Sequence, residues 1–309
     1  MLTQIKDGNV VKIEGILSEI DLKYGTLNKN GTDIKTVGGS IKVRVNTKIN
    51  GADTELEIPV HMFATQYTNA GAINPAFESI ERVMNEFVSI AASDINSADR
   101  IRITRGQLGM NEYIGQNGNL VSFPRISASF VSKIKKDECK PAADFTTVFV
   151  VGQKGYETDR DGVETDRYKV IGMIPQYGGK VDVVPFFAVN PGVIDAVSNY
   201  WNEGDTVKAT GKLNFTSKTE TYEVKVDFGE ASEATRTISI SDLIITGGSS
   251  TPLEGDFAIN CDDVKVALEE RKARHAQMKE KAANQAKGSS GKAPAATPAA
   301  ANRFADLGF

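Results

Sequence analysis

Cysteine, histidine and long apolar runs are all scarce in this chain of 309 residues. The two cysteines, Cys139 and Cys261, lie far apart without a CxxC pattern, and the two histidines are His61 and His275. So few soft ligands exclude a disulfide scaffold and a zinc site of the usual spacing. No apolar stretch approaches the roughly 20 residues that span a bilayer, and the N-terminus lacks the apolar core of a secretory signal. We therefore expect a cytoplasmic protein without a metal or other cofactor.

The chain has fewer basic than acidic residues: 36 Lys and Arg against 40 Asp and Glu, which gives a formal net charge of −4. This lowers the expectation of a nucleic-acid partner without excluding one, because phosphate binding needs only a local basic groove. Catalytic motifs are also absent. The segment GSSGKA lacks the first glycine and the Ser or Thr of a phosphate loop, and DRDGVETD lacks the register of an EF-hand. We expect a binding protein rather than an enzyme.

The sequence does contain an internal repeat, which extends to about residue 248. The first copy runs through SIKVRV, LEIPVHMFA, the helix AFESIERVMNEFVSIA, ADRIRITRGQL and RISASFVSKI. The second runs through RYKVIG, VDVVPFFAV, the helix GVIDAVSNYWNEG, GDTVKATGKL and TISISDLIIT, and each copy has one more strand ahead of it. This is the element order of an OB-fold, a five-stranded Greek-key barrel. The pattern predicts a mainly β protein with tandem OB-fold domains over residues 1–140 and 141–248.

The composition changes after Gly248. The segment GGSSTPLEG predicts a linker over residues 249–261, and a capped stretch with a thin apolar line predicts an exposed helix over 262–287. Residues 288–309 are rich in alanine, proline, glycine and serine, so we expect disorder there. The chain ends in NRFADLGF, which keeps two aromatic rings beside a free carboxylate. We interpret this ending as a partner-binding motif formed by Phe304, Asp306, Leu307 and Phe309.

Basic residues alternate with apolar ones on several predicted strands, as in IKVRV, which places the charges outside a barrel. Single-stranded nucleic acid is held by such charges together with aromatic rings on which bases stack. The basic candidates are Lys42, Arg44, Arg100, Arg102 and Arg105 in the first copy, and Lys169, Lys208 and Lys212 in the second. The ring candidates are Tyr24, Tyr67, Tyr113 and Phe123 in the first copy, and Tyr156, Tyr177, Phe215 and Tyr222 in the second.

Each of these patterns also has a purely structural explanation. Alternating Lys and Arg are often only the solvated side of a strand, and aromatic residues in β proteins are more often core than binding surface. We expect five rings that lie beside other apolar residues to belong to the core: Phe63, Phe130, Phe186, Phe187 and Trp201. His61 is most simply explained as a strand residue with a satisfied hydrogen bond.

The stretch RIRITRGQLGMNEYIGQNGNLVSFPRISASFVSKI resembles the last two strands of single-stranded DNA-binding proteins of the bacterial and phage type. Together with the linker and the terminal Phe, the resemblance implies a phage-encoded protein that binds single-stranded DNA largely without sequence preference. It further implies a role in replication, recombination or repair, with partner proteins recruited by the tail. The alternative is a structural or scaffolding phage protein whose barrels bind other proteins. The sequence leaves the oligomeric state open and allows a homo-oligomer.

Overall fold

The computed structural model describes residues 2–29, 31–159, 161–224 and 232–288. Within these ranges the first half contains β1 (Asn9–Lys29), β2 (Thr32–Ile49), β3 (Ala52–Thr65), α1 (Pro75–Glu86), β4 (Arg100–Ile114), β5 (Leu120–Ser127) and β6 (Ser132–Ile134). The second half contains β7 (Ala142–Thr158), β8 (Glu164–Gln176), β9 (Lys180–Ala188), α2 (Pro191–Tyr200), β10 (Thr206–Val224), β11 (Ser232–Gly248) and α3 (Cys261–Gly288).

Backbone pairing closes two circuits of five strands. In the first barrel β1 pairs with β2 and β4, β2 with β3, β4 with β5, and β3 with β5 in parallel. The second barrel repeats this order with β7 to β11. In both, one helix lies between the third and fourth strands. The predicted mainly β fold is confirmed. The division into tandem OB-fold domains over residues 1–140 and 141–248 stays a prediction.

Local sequence explains these elements. In β3, Leu56, Ile58, Val60 and Met62 are all fully buried, so the residues between them face outward, as the period of 2 requires. Both barrel helices begin with the dipeptide Asn-Pro, in which the Asn side chain accepts a backbone N–H and Pro occupies the first turn. The buried side of each helix then fills the interior of its barrel.

The two barrels are joined through their first strands. β1 pairs antiparallel with β7 from Asn9 opposite Thr147 to Glu14 opposite Ala142. This pairing makes one sheet of eleven strands within the described residues, and one hydrophobic cluster contains residues of both barrels. The shared backbone ladder and core place the two barrels in one continuous structure.

One side of α3 is buried in the first half of the helix, which corrects the prediction of a wholly exposed helix over residues 262–287. Val264 and Ala267 are buried in a second cluster with apolar residues from the N-terminal segment, from the outside of the second barrel and from the segment before α3: Leu2, Val148, Val150, Val181 and Ile259. The sequence showed the thin apolar line of the helix but not the apolar patch that covers it. No helix in the described ranges combines the length and hydropathy needed to cross a bilayer.

Candidate nucleic-acid interface

Strand alternation defines the outer face of the first barrel. Ile41 and Val43 of β2 are buried, so Gly38, Ser40 and Lys42 point outward. The register between β2 and β3 places Gly38 opposite Phe63, Ser40 opposite His61, and Lys42 opposite Pro59. On the other side, Lys23 of β1 lies opposite Gly38. We call the surface formed by Lys23, Gly38, Ser40, Lys42, His61 and Phe63 the outer face.

Phe63 is the most prominent side chain of the outer face, with 52% of its surface exposed. A Cβ atom on Gly38 would lie 2.9 Å from Cδ2 of the Phe63 ring, so the ring rests on the backbone of Gly38. A residue with a side chain at position 38 would displace the ring. The sheet therefore presents an aromatic ring to solvent beside the imidazole of His61.

This position of Phe63 corrects one prediction from the sequence. Phe63 and Phe130, with 52% and 60% of their surfaces exposed, were expected in the core. The expectation is confirmed for the other three rings, Phe186, Phe187 and Trp201, which are buried. The signal for Phe63 was present in LEIPVHMFA, because Phe63 has the opposite parity to the buried Leu56, Ile58, Val60 and Met62. Its apolar neighbours in sequence point to the other side of the strand.

The outer face continues onto β5. His61 lies opposite Ser127, and Arg125 lies two residues before Ser127 on the same side of β5. Burial, and after it the positive charge of Arg125, lowers the pKa of His61 below its ordinary value. Both effects favour the neutral imidazole of His61, and Arg125 supplies the positive charge at this edge.

Two of the predicted ring residues extend this surface along the β4–β5 hairpin. Phe123 has the same parity as Arg125, and its ring centroid lies 6.2 Å from that of Tyr113 in an edge-to-face arrangement. Tyr113 is 40% exposed. The structure thus brings Tyr113 and Phe123 together on the side that carries Arg125, His61 and Phe63.

The predicted basic residues of the first barrel are mostly paired with carboxylates. Four of the five residues form ion pairs: Lys42 with Glu19 at 2.5 Å, Arg44 with Glu55 at 3.7 Å, Arg102 with Glu14 at 2.7 Å, and Arg105 with Asp7 at 3.6 Å. The pairs of Lys42, Arg44 and Arg105 are at least partly exposed, and such pairs contribute only about 0–1 kcal/mol. These three ion pairs therefore add little to stability.

Arg100 and Arg102 have structural roles instead. Arg100 is buried, and its Nη1 donates to the carbonyl oxygen of Ala98 at 2.6 Å. Glu14 is also buried, and it accepts hydrogen bonds from Arg102 and from the backbone N–H of Lys140. The hydrogen bond from Arg102 lowers the pKa of Glu14 despite its burial. The interpretation of Arg100 as a phosphate ligand is wrong for this conformation, because its guanidinium is turned into the protein.

The other ring candidates of the first barrel lie at its edges. The Tyr24 hydroxyl donates to Glu81 at 2.6 Å, and Nζ of Lys35 lies 4.0 Å from the ring centroid. One face of the Tyr24 ring is therefore covered by a cation. Tyr67 follows β3, is about half exposed, and forms an isolated bridge with Ile73.

The candidates of the second barrel are dispersed. Lys208 and Tyr177 are exposed at separate places, Lys169 lies on β8, and Tyr156 packs edge-on against Tyr168. Lys212 forms an ion pair with Asp144 at 2.5 Å. Phe215 is in the hydrophobic core, so the prediction of a stacking surface there is wrong. The side chain of Tyr222 and the tail residues Phe304, Asp306, Leu307 and Phe309 lie outside the described residues.

These observations define a class: a two-barrel β protein whose first barrel exposes aromatic and basic side chains, with Glu19 and Asp21 opposite Lys42 and Ser40 on the same face. Among the described residues, no group of His, Cys, Asp and Glu side chains is arranged to hold a metal ion. The chain belongs to the YorF family, whose sequence model matches residues 7–284.

Comparison with other proteins adds two findings. None of the curated proteins matches this chain. Among solved structures, the wild-type single-stranded DNA binding protein from Thermus aquaticus and a deletion mutant of it are similar to this chain, each with a TM-score of 0.48 and 10% identity. Both alignments cover 80% of this chain, with 94% of the wild-type chain and 95% of the mutant chain.

Proposed function

We propose that this protein binds single-stranded DNA, largely independently of sequence, and that the outer face of the first barrel is the binding surface. The proposal rests mainly on the Phe63 ring, which is exposed to solvent and packs on the backbone of Gly38. A single exposed apolar residue is common on protein surfaces. Here the ring shares its face with further aromatic and basic side chains, which is the combination that holds single strands.

The charges on either side of Phe63 are suited to a phosphate backbone. Lys23 lies two strands from Phe63, a separation of about 10 Å at the usual strand spacing. Arg125 lies on the other side, beyond His61. Within the described residues, neither Lys23 nor Arg125 has a carboxylate at ion-pair distance. The DNA backbone would follow these charges while a base stacks on the Phe63 ring.

The shape of the surface favours single strands over duplex. Phe63 lies on a sheet, not in a groove that accepts a double helix, and the faces of paired bases in a duplex are covered by their neighbours. A ring of this kind gains its stacking energy only from an unpaired base. We therefore expect the protein to prefer single-stranded to duplex DNA.

The wider role that we propose is in replication, recombination or repair of phage DNA. Its support is the resemblance of residues 100–134 and of the C-terminal ending to phage and bacterial single-stranded DNA-binding proteins. In this proposal the tail recruits replication or repair proteins: the Phe309 ring enters a pocket, and the terminal carboxylate meets a basic residue of the partner. Deletion of Phe309 should abolish partner capture and leave DNA affinity unchanged.

The direct experiment is fluorescence anisotropy with an unstructured oligonucleotide at low and moderate salt. Loss of one stacking contact costs about 1–3 kcal/mol, so Phe63→Ala should weaken binding about 5- to 150-fold. The matched control is Tyr200→Ala, which removes a half-exposed ring from α2 and should leave the affinity unchanged.

Binding should also weaken as salt rises, because phosphate contacts release counterions. Equal affinity of Phe63→Ala and the unaltered chain would refute the assigned surface. If the unaltered chain binds neither single strands nor duplex but holds a stoichiometric protein partner, the scaffolding alternative is correct.

A further inference from the structure

The edge of the β4–β5 hairpin is held by side chains from outside that hairpin. β4 pairs with β1 only as far as Gly106. Beyond that point, Asn9 exchanges two hydrogen bonds with the backbone of Leu108, at 2.7 and 3.0 Å. Gln176 donates to the carbonyl oxygen of Leu108 at 3.1 Å, and Asp182 accepts the N–H of Met110 at 2.9 Å. Side chains of the second barrel therefore bind backbone groups of β4 that β1 does not pair with.

Glu112 gives the hairpin a second anchor, which comes from α3. Its carboxylate accepts a hydrogen bond from Arg271, lies 2.8 Å from Nε2 of His275, and accepts one from Ser122 at 3.3 Å. The side chains of Glu112, Arg271 and His275 are all about 15% exposed. Burial opposes ionisation of Glu112, but the hydrogen bond with His275 and the charge of Arg271 outweigh it and lower the pKa of Glu112.

The two faces of this hairpin have different partners. Glu112 and Ser122 are directly opposite each other and face α3. Adjacent strand residues point to opposite sides, so Tyr113 and Phe123 occupy the other face, the one that also carries Arg125. The anchor on one face therefore sets the position of the aromatic pair on the other.

We propose that α3 positions the β4–β5 hairpin as part of the DNA-binding surface, with Glu112 as the positioning residue and Arg271 and His275 as its partners. This inference rests on the proposed function. It assigns a role in DNA binding to a helix that has no residue on the outer face. The stacking pair Tyr113 and Phe123 would be ordered for a base only while α3 is docked.

Two measurements on the full chain test this proposal. Hydrogen exchange of residues 108–122 reports the hairpin itself, and anisotropy with an unstructured oligonucleotide reports binding. The variants are Arg271→Ala and Glu112→Gln, the second of which keeps the shape of the side chain but removes its charge. Lys272→Ala is the control, because Lys272 is on the same helix but is exposed and paired with Glu269.

We expect both variants to speed exchange in residues 108–122 and to weaken DNA binding at least about fivefold, the effect of losing one stacking ring. The control should change neither quantity. Adding Tyr113→Ala to Arg271→Ala should then cause little further loss, because the ring is already misplaced.

Each contrary result has a distinct meaning. Unchanged exchange in both variants would show that α3 does not hold the hairpin. Faster exchange with unchanged affinity would show an anchor without a role in binding, and would overturn the positioning proposal. If the unaltered chain fails to bind the oligonucleotide, the proposed function itself is refuted, whatever the exchange experiment shows.

Discussion

Phe63 in the first barrel and Phe187 in the second occupy corresponding positions, yet only one of them is accessible. Each follows a fully buried residue and precedes a buried alanine, in the sequences MFA and FFA near the ends of β3 and β9. Phe63 is 52% exposed, whereas Phe187 is 8% exposed. The side chain at this strand position is therefore exposed in the first barrel and buried in the second.

The difference arises from what covers the ring. The guanidinium carbon of Arg167 lies 4.1 Å from the centroid of Phe187, and Phe187 packs in a cluster with Ile244 and with Ile49. Ile49 belongs to the end of β2, so the first barrel itself covers this face of the second. Phe63 rests on Gly38 and has half of its surface open. In the second barrel this face packs against the first barrel, whereas in the first barrel the corresponding ring is open to solvent.

The largest expected effect is on stability. Phe187→Ala removes a buried ring together with its contact to Arg167, and should lower the free energy of unfolding by about 3–5 kcal/mol. Phe63→Ala removes an exposed ring and should cost less than about 1 kcal/mol. Urea unfolding of the two variants measures both values. Similar losses would show that the two rings are not buried differently in solution.

A second prediction concerns the salt dependence of DNA binding. Replacing Lys23 and Arg125 together by Ala should weaken binding and reduce the salt slope by about 1.4, since each phosphate contact on a single strand contributes about 0.7. The matched variant of the second barrel, Lys169→Ala with Lys208→Ala, should change the slope much less. A larger effect in the second barrel would reverse the assignment of the binding face to the first.

The smallest predicted effect is at Asp182, where the second barrel meets the β4–β5 hairpin. Burial, reinforced by the nearby Glu112, raises the pKa of Asp182 although it accepts the Met110 N–H. A carboxyl with a raised folded pKa contributes stability while protonated and loses that contribution as pH rises through the folded value. Asp182→Asn keeps an oxygen that can accept the Met110 N–H. It removes the unfavourable free energy of ionising a buried carboxyl at high pH.

We therefore expect Asp182→Asn to raise the melting temperature at pH 8 by a few degrees and to have a smaller effect at pH 4. Thermal unfolding at both pH values measures this. Asp182→Asn also ends the repulsion of the ionised carboxylate by Glu112 and its attraction to Arg271 and Arg125; we expect the relief of burial and of the repulsion to be the larger effect. A lower melting temperature at pH 8 would mean that the ionised carboxylate is stabilising.

Much of the candidate site could be predicted from the sequence. The alternation in IKVRV placed Lys42 and Arg44 outside the barrel. Phe63 was expected in the core, although the alternation in LEIPVHMFA places it outside. Tyr113 and Phe123 were identified from the hairpin that joins β4 and β5. The missed residues, Lys23, Gly38 and Arg125, carry no individual signal, because only strand register brings them beside Phe63.

The sequence by itself determined the strands, the helix starts and the repeated order of elements, because these depend on residues within a few positions of each other. Only the tertiary structure decided which outward-facing side chains are buried by another segment and which charged side chains form ion pairs. Glu14 meets Arg102 across 88 positions, Glu112 meets Arg271 across 159, and α3 finds its apolar patch on the second barrel. Burial and ion pairing between distant segments depend on how the barrels pack, and a local pattern has no information about that packing.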